Sequence, residues 1–502
     1  MLAGTALAGP SHAAPVVGAD PQCFSAPTRI DPMPNASGAP TNPAWLLRDQ
    51  INQYCATLRI RDQVASPAFG TANLSLGAEL FAAQAQEQAA DGPTHVHGGV
   101  TTLVPGSQAA DPFRSIAAWE KLTGGTTTRV TFTSADGARL HGHLWMPPRS
   151  ATKPAGGYPG VVITDGSVQA YEQLYYWAAQ GLAQYGYEVL TYDVQGQGDS
   201  DLLPASCTPT SCPGVPYQQN YNFYQGAEDS LSWFDSAHNP GFGSLNRARI
   251  GIAGHSAGAA AVSWVGQCDS RVKAVVAWDD LTPVDPAHCA ANVTVPKAYQ
   301  AKRLHTPSLG TTNDYEFNVQ PQQTVPNPHG ASNSGGLNGD SGYQNLVKAG
   351  VDSQLVSLRN GTHLTYSYIP LVLPANELGE RFAFYYSLAW FDQYLRGGSN
   401  PFTPQSALSR LTSVGTFDAS ADRNRLGVVS FGAGVYDPAA AAGSPGTVGA
   451  GNQPYRIAGI PIVNSLSFYY FSGYRLTDPT THQVRRCGDL LAKCPGVTPP
   501  AP

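Results

Sequence analysis

Charge is scarce in this chain. Asp, Glu, Lys and Arg together make up 13% of its 502 residues, about half the share usual in soluble domains. Lysines and arginines form no run or basic patch, and the formal net charge is -6, so nucleic acid is not an expected partner. Beyond the N-terminus no run of about 20 apolar residues occurs, so no transmembrane segment is expected. No two cysteines have CxxC spacing and no His/Cys cluster occurs, so neither a metal nor another cofactor is expected. His141 and His143 fall on one face of a strand in "HGH" and read as solvent-facing. There is no internal repeat, and nothing in the chain sets an oligomeric state.

Apolar residues reach 42% and aromatics 10%, with 53 glycines and 41 prolines. The chain therefore reads as a loop-rich globular protein with a sizeable core, its surface polarity left to Asn, Gln, Ser, Thr and Tyr. Its length exceeds one ordinary domain, so one large domain with attached segments is expected. Residues 1–14, "MLAGTALAGPSHAA", read as the back half of a secretory signal without its positive start. The eight cysteines fall into near neighbours. In an exported protein the economical pairing is Cys23–Cys55, Cys207–Cys212, Cys268–Cys289 and Cys487–Cys494.

Residues 15–125 form an N-terminal extension without strong periodicity. From 127 to 147 two alternating strands flank Asp136-Gly137, a hairpin signal. Apolar strands then alternate with helices: "YPGVVITDGS", "YYWAAQGLAQYG", "YEVLTYDVQGQGDSD", "QGAEDSLSWFDSA", "RIGIAGHSAGAAAVSW", "RVKAVVAWDD", "TPSLGTTNDYE" and "SQLVSLRNGTH", closing on the helix "RFAFYYSLAWFDQYLRG". This alternation predicts an α/β domain over 126–400, with a mainly parallel central sheet and helices on both faces. Within it, 201–225 forms an aromatic, lid-like loop. Residues 401–502 make a small β-rich C-terminal segment containing the low-complexity stretch "YDPAAAAGSPGTVGAGNQP".

Ser256 lies where a β-branched strand meets an alanine-rich helix, with Gly254 and Gly258 two residues to either side. A serine presented on a strained turn needs small residues at those positions. The helix N-terminus behind it favours developing negative charge, with the Ala257 N–H as a donor.

Three landmarks together resemble the α/β-hydrolase superfamily over about residues 127–400. The hairpin at Asp136-Gly137 looks like the leading strands of the dienelactone-hydrolase and X-Pro dipeptidyl-peptidase branches. Tyr192–Asp201, "YDVQGQGDSD", is similar to the D-x-R-G-x-G-x-S turn, with Gln195 in place of Arg, and "GHSAG" resembles the nucleophile elbow. The resemblance implies a second oxyanion donor in the loop after the strand that "ITDGSVQA" ends: the N–H of Ser167, with Val168 next. "HVHGG", His95–Gly99, mimics a lipase motif but precedes the hairpin and reads as a loop.

A serine hydroxyl needs an imidazole base, and in this superfamily the acid follows the serine and the histidine comes last. Of His288, His305, His329, His363 and His482, only His363 directly follows an apolar strand. For the acid, Asp314 best matches the position after the seventh strand; Glu316 is next, and Asp279 and Asp280 are the outside choice. Tyr217, Tyr221, Phe223 and Tyr224 are candidates for a substrate wall, and Val168, Gln169 and His255 flank the site. The resemblance implies a secreted serine hydrolase acting on small-molecule or lipid-like esters. The alternatives are a peptidase of the X-Pro dipeptidyl-peptidase type, for which no amine-binding carboxylate pair is evident, and a non-catalytic binding protein on the same fold.

Overall fold

The structure is a computed structural model. It describes residues 116–149, 151, 153–167, 171–204, 220–279, 281–313, 342–358, 363–367, 377–403, 406–412, 455–457, 460–462 and 470–487. Its centre is six short strands rich in Val, Ile and Leu: β3 (Tyr158–Thr164), β4 (Glu188–Tyr192), β5 (Leu245–His255), β6 (Val272–Trp278), β7 (Ser308–Asn313) and β8 (Ser353–Leu358). They lie in the order β4-β3-β5-β6-β7-β8 with every pairing parallel. A parallel sheet must be covered on both faces, and the pleat sorts the side chains to suit. Val161 and Ile163 join one apolar cluster, and Val162 joins another.

The first cluster takes Trp177 from α2 (Tyr176–Gln184) and Phe384, Trp390 and Phe391 from α6 (Glu377–Leu395). The second takes Phe223, Leu231 and Phe234 from α3 (Asn220–Phe234) and Val262 and Val265 from α4 (Ala257–Cys268). Before the sheet, α1 (Ile116–Thr123) buries Trp119 edge-on against Trp145, with ring centroids 5.5 Å apart. Each such aromatic removes on the order of 150–250 Å² from water.

Antiparallel strands flank this centre, so the ten-stranded sheet is mixed. On one side the hairpin of β1 (Thr126–Thr133) and β2 (Arg139–Met146) turns at Gly137, φ 87°, and β2 pairs with β4. α5 (Gly342–Lys348) precedes β8, α7 (Ala407–Leu411) follows α6, and β9 (Tyr455–Ile457) and β10 (Ile460–Ile462) form a separate pair. On the other side β11 (Tyr470–Thr477) pairs with β8, and β12 (Val484–Cys487) with β11. Part of the C-terminal segment is thus built into the central sheet.

Two expectations are corrected. His141 and His143 are not solvent-facing: His141 is 4% exposed and bonds Thr131, and His143 Nδ1 lies 2.5 Å from Glu172. Burial follows from β2 lying between β1 and β4 under the helix layer. The stretch expected as a lid-like loop ends in regular structure, because α3 begins at Asn220; residues 205–219 lie outside the described part.

The topology sets where a ligand can sit. From β3 the chain passes to β4 on one side, then returns to β5 on the other. Strand order therefore reverses between β3 and β5, and the crevice beyond their carboxyl ends is the expected binding position.

At the opposite end of β4, Glu188 is buried, and its carboxylate accepts from Asn239 at 2.9 Å and Ser244 at 3.0 Å. Burial raises it from 4.5 to about 7. The folded state thus binds a proton the unfolded chain releases, so this stability is present below 4.5 and lost as pH rises through 7. Glu188→Gln keeps an acceptor without the charge. Its stability advantage over wild type, read by chemical denaturation, is expected to grow by up to about 3 kcal/mol between acid and mildly alkaline pH.

Candidate active site

The strand-to-helix turn at Ser256 places its backbone at φ 58° and ψ -120°, a region non-glycine residues rarely occupy. The neighbouring glycines explain how. A Cβ on Gly254 would overlap the Gly258 carbonyl, and one on Gly258 would overlap the carbonyls of Thr164 and Asp165. The start of α4 therefore lies directly on the end of β3. Gly166 packs against the serine itself, since a Cβ there would sit 3.3 Å from Ser256 Cβ. The turn is held by Ser256 N–H donating to the Trp278 carbonyl at 3.0 Å.

Ser256 Oγ lies 2.9 Å from His363 Nε2, and His363 Nδ1 lies 2.6 Å from Asp279 Oδ2. The three groups come from the carboxyl ends of β5, β6 and the chain beyond β8, where His363 opens a short 3₁₀ turn, His363–Tyr366. His363 and Asp279 are each less than one-fifth exposed. The carboxylate paired with His363 is that of Asp279, which the sequence offers as an outside choice; Asp314, Glu316 and Asp280 lie outside the described residues. Asp279 is turned toward the histidine by its own left-handed backbone, φ 51°, fixed by its N–H donating to Thr311 at 2.9 Å.

His255, which the sequence places beside the site, is 3% exposed and packs against His363, with ring centroids 4.8 Å apart. Its Nε2 is 2.7 Å from the His363 carbonyl and its Nδ1 is 2.8 Å from Tyr175 Oη. Burial, and then the nearby His363, push its pKa well below the ordinary imidazole value, so the ring is neutral. Gly166 N–H donates to Tyr175 Oη at 3.0 Å, and Gln197 Nε2 donates to the Gly166 carbonyl at 2.7 Å. Tyr175 and Gln197 were not singled out by pattern. Gln197 lies inside the glycine-rich turn "YDVQGQGDSD", which was the available signal.

The other expected residues divide. Gly166, the residue before Ser167, packs against Ser256, and Ala257 opens α4. Val168, Gln169 and Tyr217 lie outside the described residues. Tyr221 is 48% exposed, close to the Asp136 and Asp229 carboxylates, and Tyr224 packs edge-on against Trp264 at 6.1 Å. Cys268 and Cys289 are bonded, tying the end of α4 to the loop after β6. Cys487 is also disulfide-bonded, while the other expected cysteines lie outside the described residues. Among the described residues no group of three or more His, Cys, Asp or Glu could hold a metal, and no helix is long and apolar enough to cross a membrane. Comparison with protein-family models and with curated protein sequences found no match.

The close approach at the turn makes a direct test. Gly258→Ala is expected to cost about 1–3 kcal/mol or more through overpacking against β3. Gly243→Ala, where an added Cβ meets nothing within 4 Å, is the control. Thermal melts should show a lowered midpoint for the first and a near-native one for the second.

Proposed function

We propose that this chain is a secreted serine hydrolase of the α/β-hydrolase type that cleaves carboxylic esters through an acyl-enzyme on Ser256. The observation that carries this reading is the hydrogen-bonded line Ser256–His363–Asp279, with its serine on a left-handed backbone at the sheet's switch point. A serine hydroxyl alone is a weak nucleophile. His363 Nε2 takes the Oγ proton as Oγ bonds to the ester carbonyl carbon. Asp279 accepts from Nδ1–H, which holds the other ring nitrogen free as a base and stabilises the cation that forms.

The tetrahedral oxyanion falls at the start of α4, where the Ala257 N–H and the helix dipole favour negative charge. The Gly166 N–H is committed to Tyr175, so the donor from the facing loop is the next N–H, that of Ser167. Collapse breaks the bond to the leaving alkoxide, which takes the proton from His363. Water, deprotonated by the same ring, then releases the acid and restores Ser256. The Cys268–Cys289 bond favours an oxidising, extracellular location.

A panel of p-nitrophenyl acyl esters and an aminoacyl-p-nitroanilide tests the reading. Ester turnover should disappear in Ser256→Ala, together with labelling of the folded protein by a fluorophosphonate. Asp279→Asn should lower kcat about 10³–10⁴-fold, because the ring loses its orienting acceptor. A loss of that size in Asp314→Asn instead would overturn the acid assignment, and hydrolysis of the anilide alone would make the chain a peptidase.

A further inference from the structure

Resting on the serine-hydrolase reading, we infer that His255 and Tyr175 are positioning residues, a one-way hydrogen-bond relay that locks the loop carrying Ser167 to the turn carrying His363. The direction of each bond follows from what its atoms can do. A carbonyl only accepts, so His255 Nε2, 2.7 Å from the His363 carbonyl, must carry the proton. The ring is neutral, so Nδ1 is a bare lone pair and Tyr175 O–H donates to it across 2.8 Å. The phenol oxygen then accepts the Gly166 N–H at 3.0 Å. Reversing any member leaves a buried polar atom unpaired, at a cost of about 1–3 kcal/mol.

The relay begins one residue before the Ser167 donor and ends on the catalytic histidine's own carbonyl. Both ends are held from a second side. Gln197 donates to the Gly166 carbonyl at 2.7 Å, and Trp177 Nε1 donates to the Tyr366 carbonyl at 2.9 Å, at the far end of the 3₁₀ turn. Tyr175 is itself clamped flat on Trp278, ring centroids 6.3 Å apart and planes 7° from parallel. The groups on the two sides of Ser256 are thus referred to one rigid set of side chains. A core histidine serving packing alone needs only some acceptor; this one spends its single N–H on the histidine that moves the proton. Its neutrality also matters, because a second charge beside the His363 cation would oppose its formation.

The relay is tested by measuring kcat and KM separately with a p-nitrophenyl ester for wild type, His255→Leu, His255→Gln and Tyr175→Phe, with thermal melts on each. His255→Leu and Tyr175→Phe should lower kcat about 10- to 100-fold with KM within about twofold, the signature of misplaced reacting groups. His255→Gln, whose Nε2 can still donate to the His363 carbonyl, should recover most of the rate. Tyr175→Phe removes one oxygen and carries the test alone if His255→Leu does not fold. Wild-type kcat in both His255→Leu and Tyr175→Phe, or equal losses in the Leu and Gln variants, overturns the relay while leaving the hydrolase reading intact. Wild type that neither turns over ester nor reacts with a fluorophosphonate overturns both.

Discussion

One close approach decides the rest: the first turn of α4 lies directly on the carbonyls that end β3, with no room for a methyl group between them. Two glycines permit it, and the serine between them takes up the strain as a left-handed backbone. That contact puts the hydroxyl at the crest of the sheet and brings the helix N-terminus and the loop after β3 to one spot. A helix seated a methyl's width higher would carry the hydroxyl away from His363 and the Ala257 N–H away from any oxygen bonded to it. Strain of this kind persists only where the surroundings over-determine it. Here they include the strand bonds on both sides of β5 and the aromatic packing of α2 and α6.

The scarcity of charge shapes how the site is supported. Around the Ser256–His363–Asp279 line the supporting hydrogen bonds come from neutral groups: a phenol, an amide, an indole and an uncharged imidazole. Such groups lose less on burial than ions do, and their geometry is fixed by large flat rings. One ion cluster sits at the end of α4 opposite the serine, where Arg271 gathers Asp269, Glu228 and Asp235.

Much of this was legible in the residues, and the failures have specific causes. β-branched runs, glycine punctuation and chain order were enough to single out Ser256 and His363, which meet in the structure. The acid was harder. Carboxylates follow both β6 and β7, neighbouring strands about 4.8 Å apart, and no linear spacing ranks one above the other. What places Asp279 is its left-handed backbone and its bond to Thr311, neither of which leaves a mark in the sequence. His143 differs from its reading similarly: alternation gives its face, but its partner Glu172 is brought alongside by a 3₁₀ turn. Tyr175 and Gln197 belong to no periodic pattern, because a buried polar contact is specified by its partner and not by its position in a repeat.

The antiparallel strand β11 has a consequence for the integrity of the fold. It pairs along β8 from Tyr470 to Arg475 and is pinned there by Asp352, which takes the Arg475 guanidinium, the Thr477 N–H and the Tyr394 hydroxyl. Without β11, the strand leading to His363 would be a bare sheet border, offering unpaired amides and carbonyls to any other extended chain. β11 thus acts as a selvedge for the apolar parallel strands and passes the open border to β12, which exposes Arg485 and Arg486.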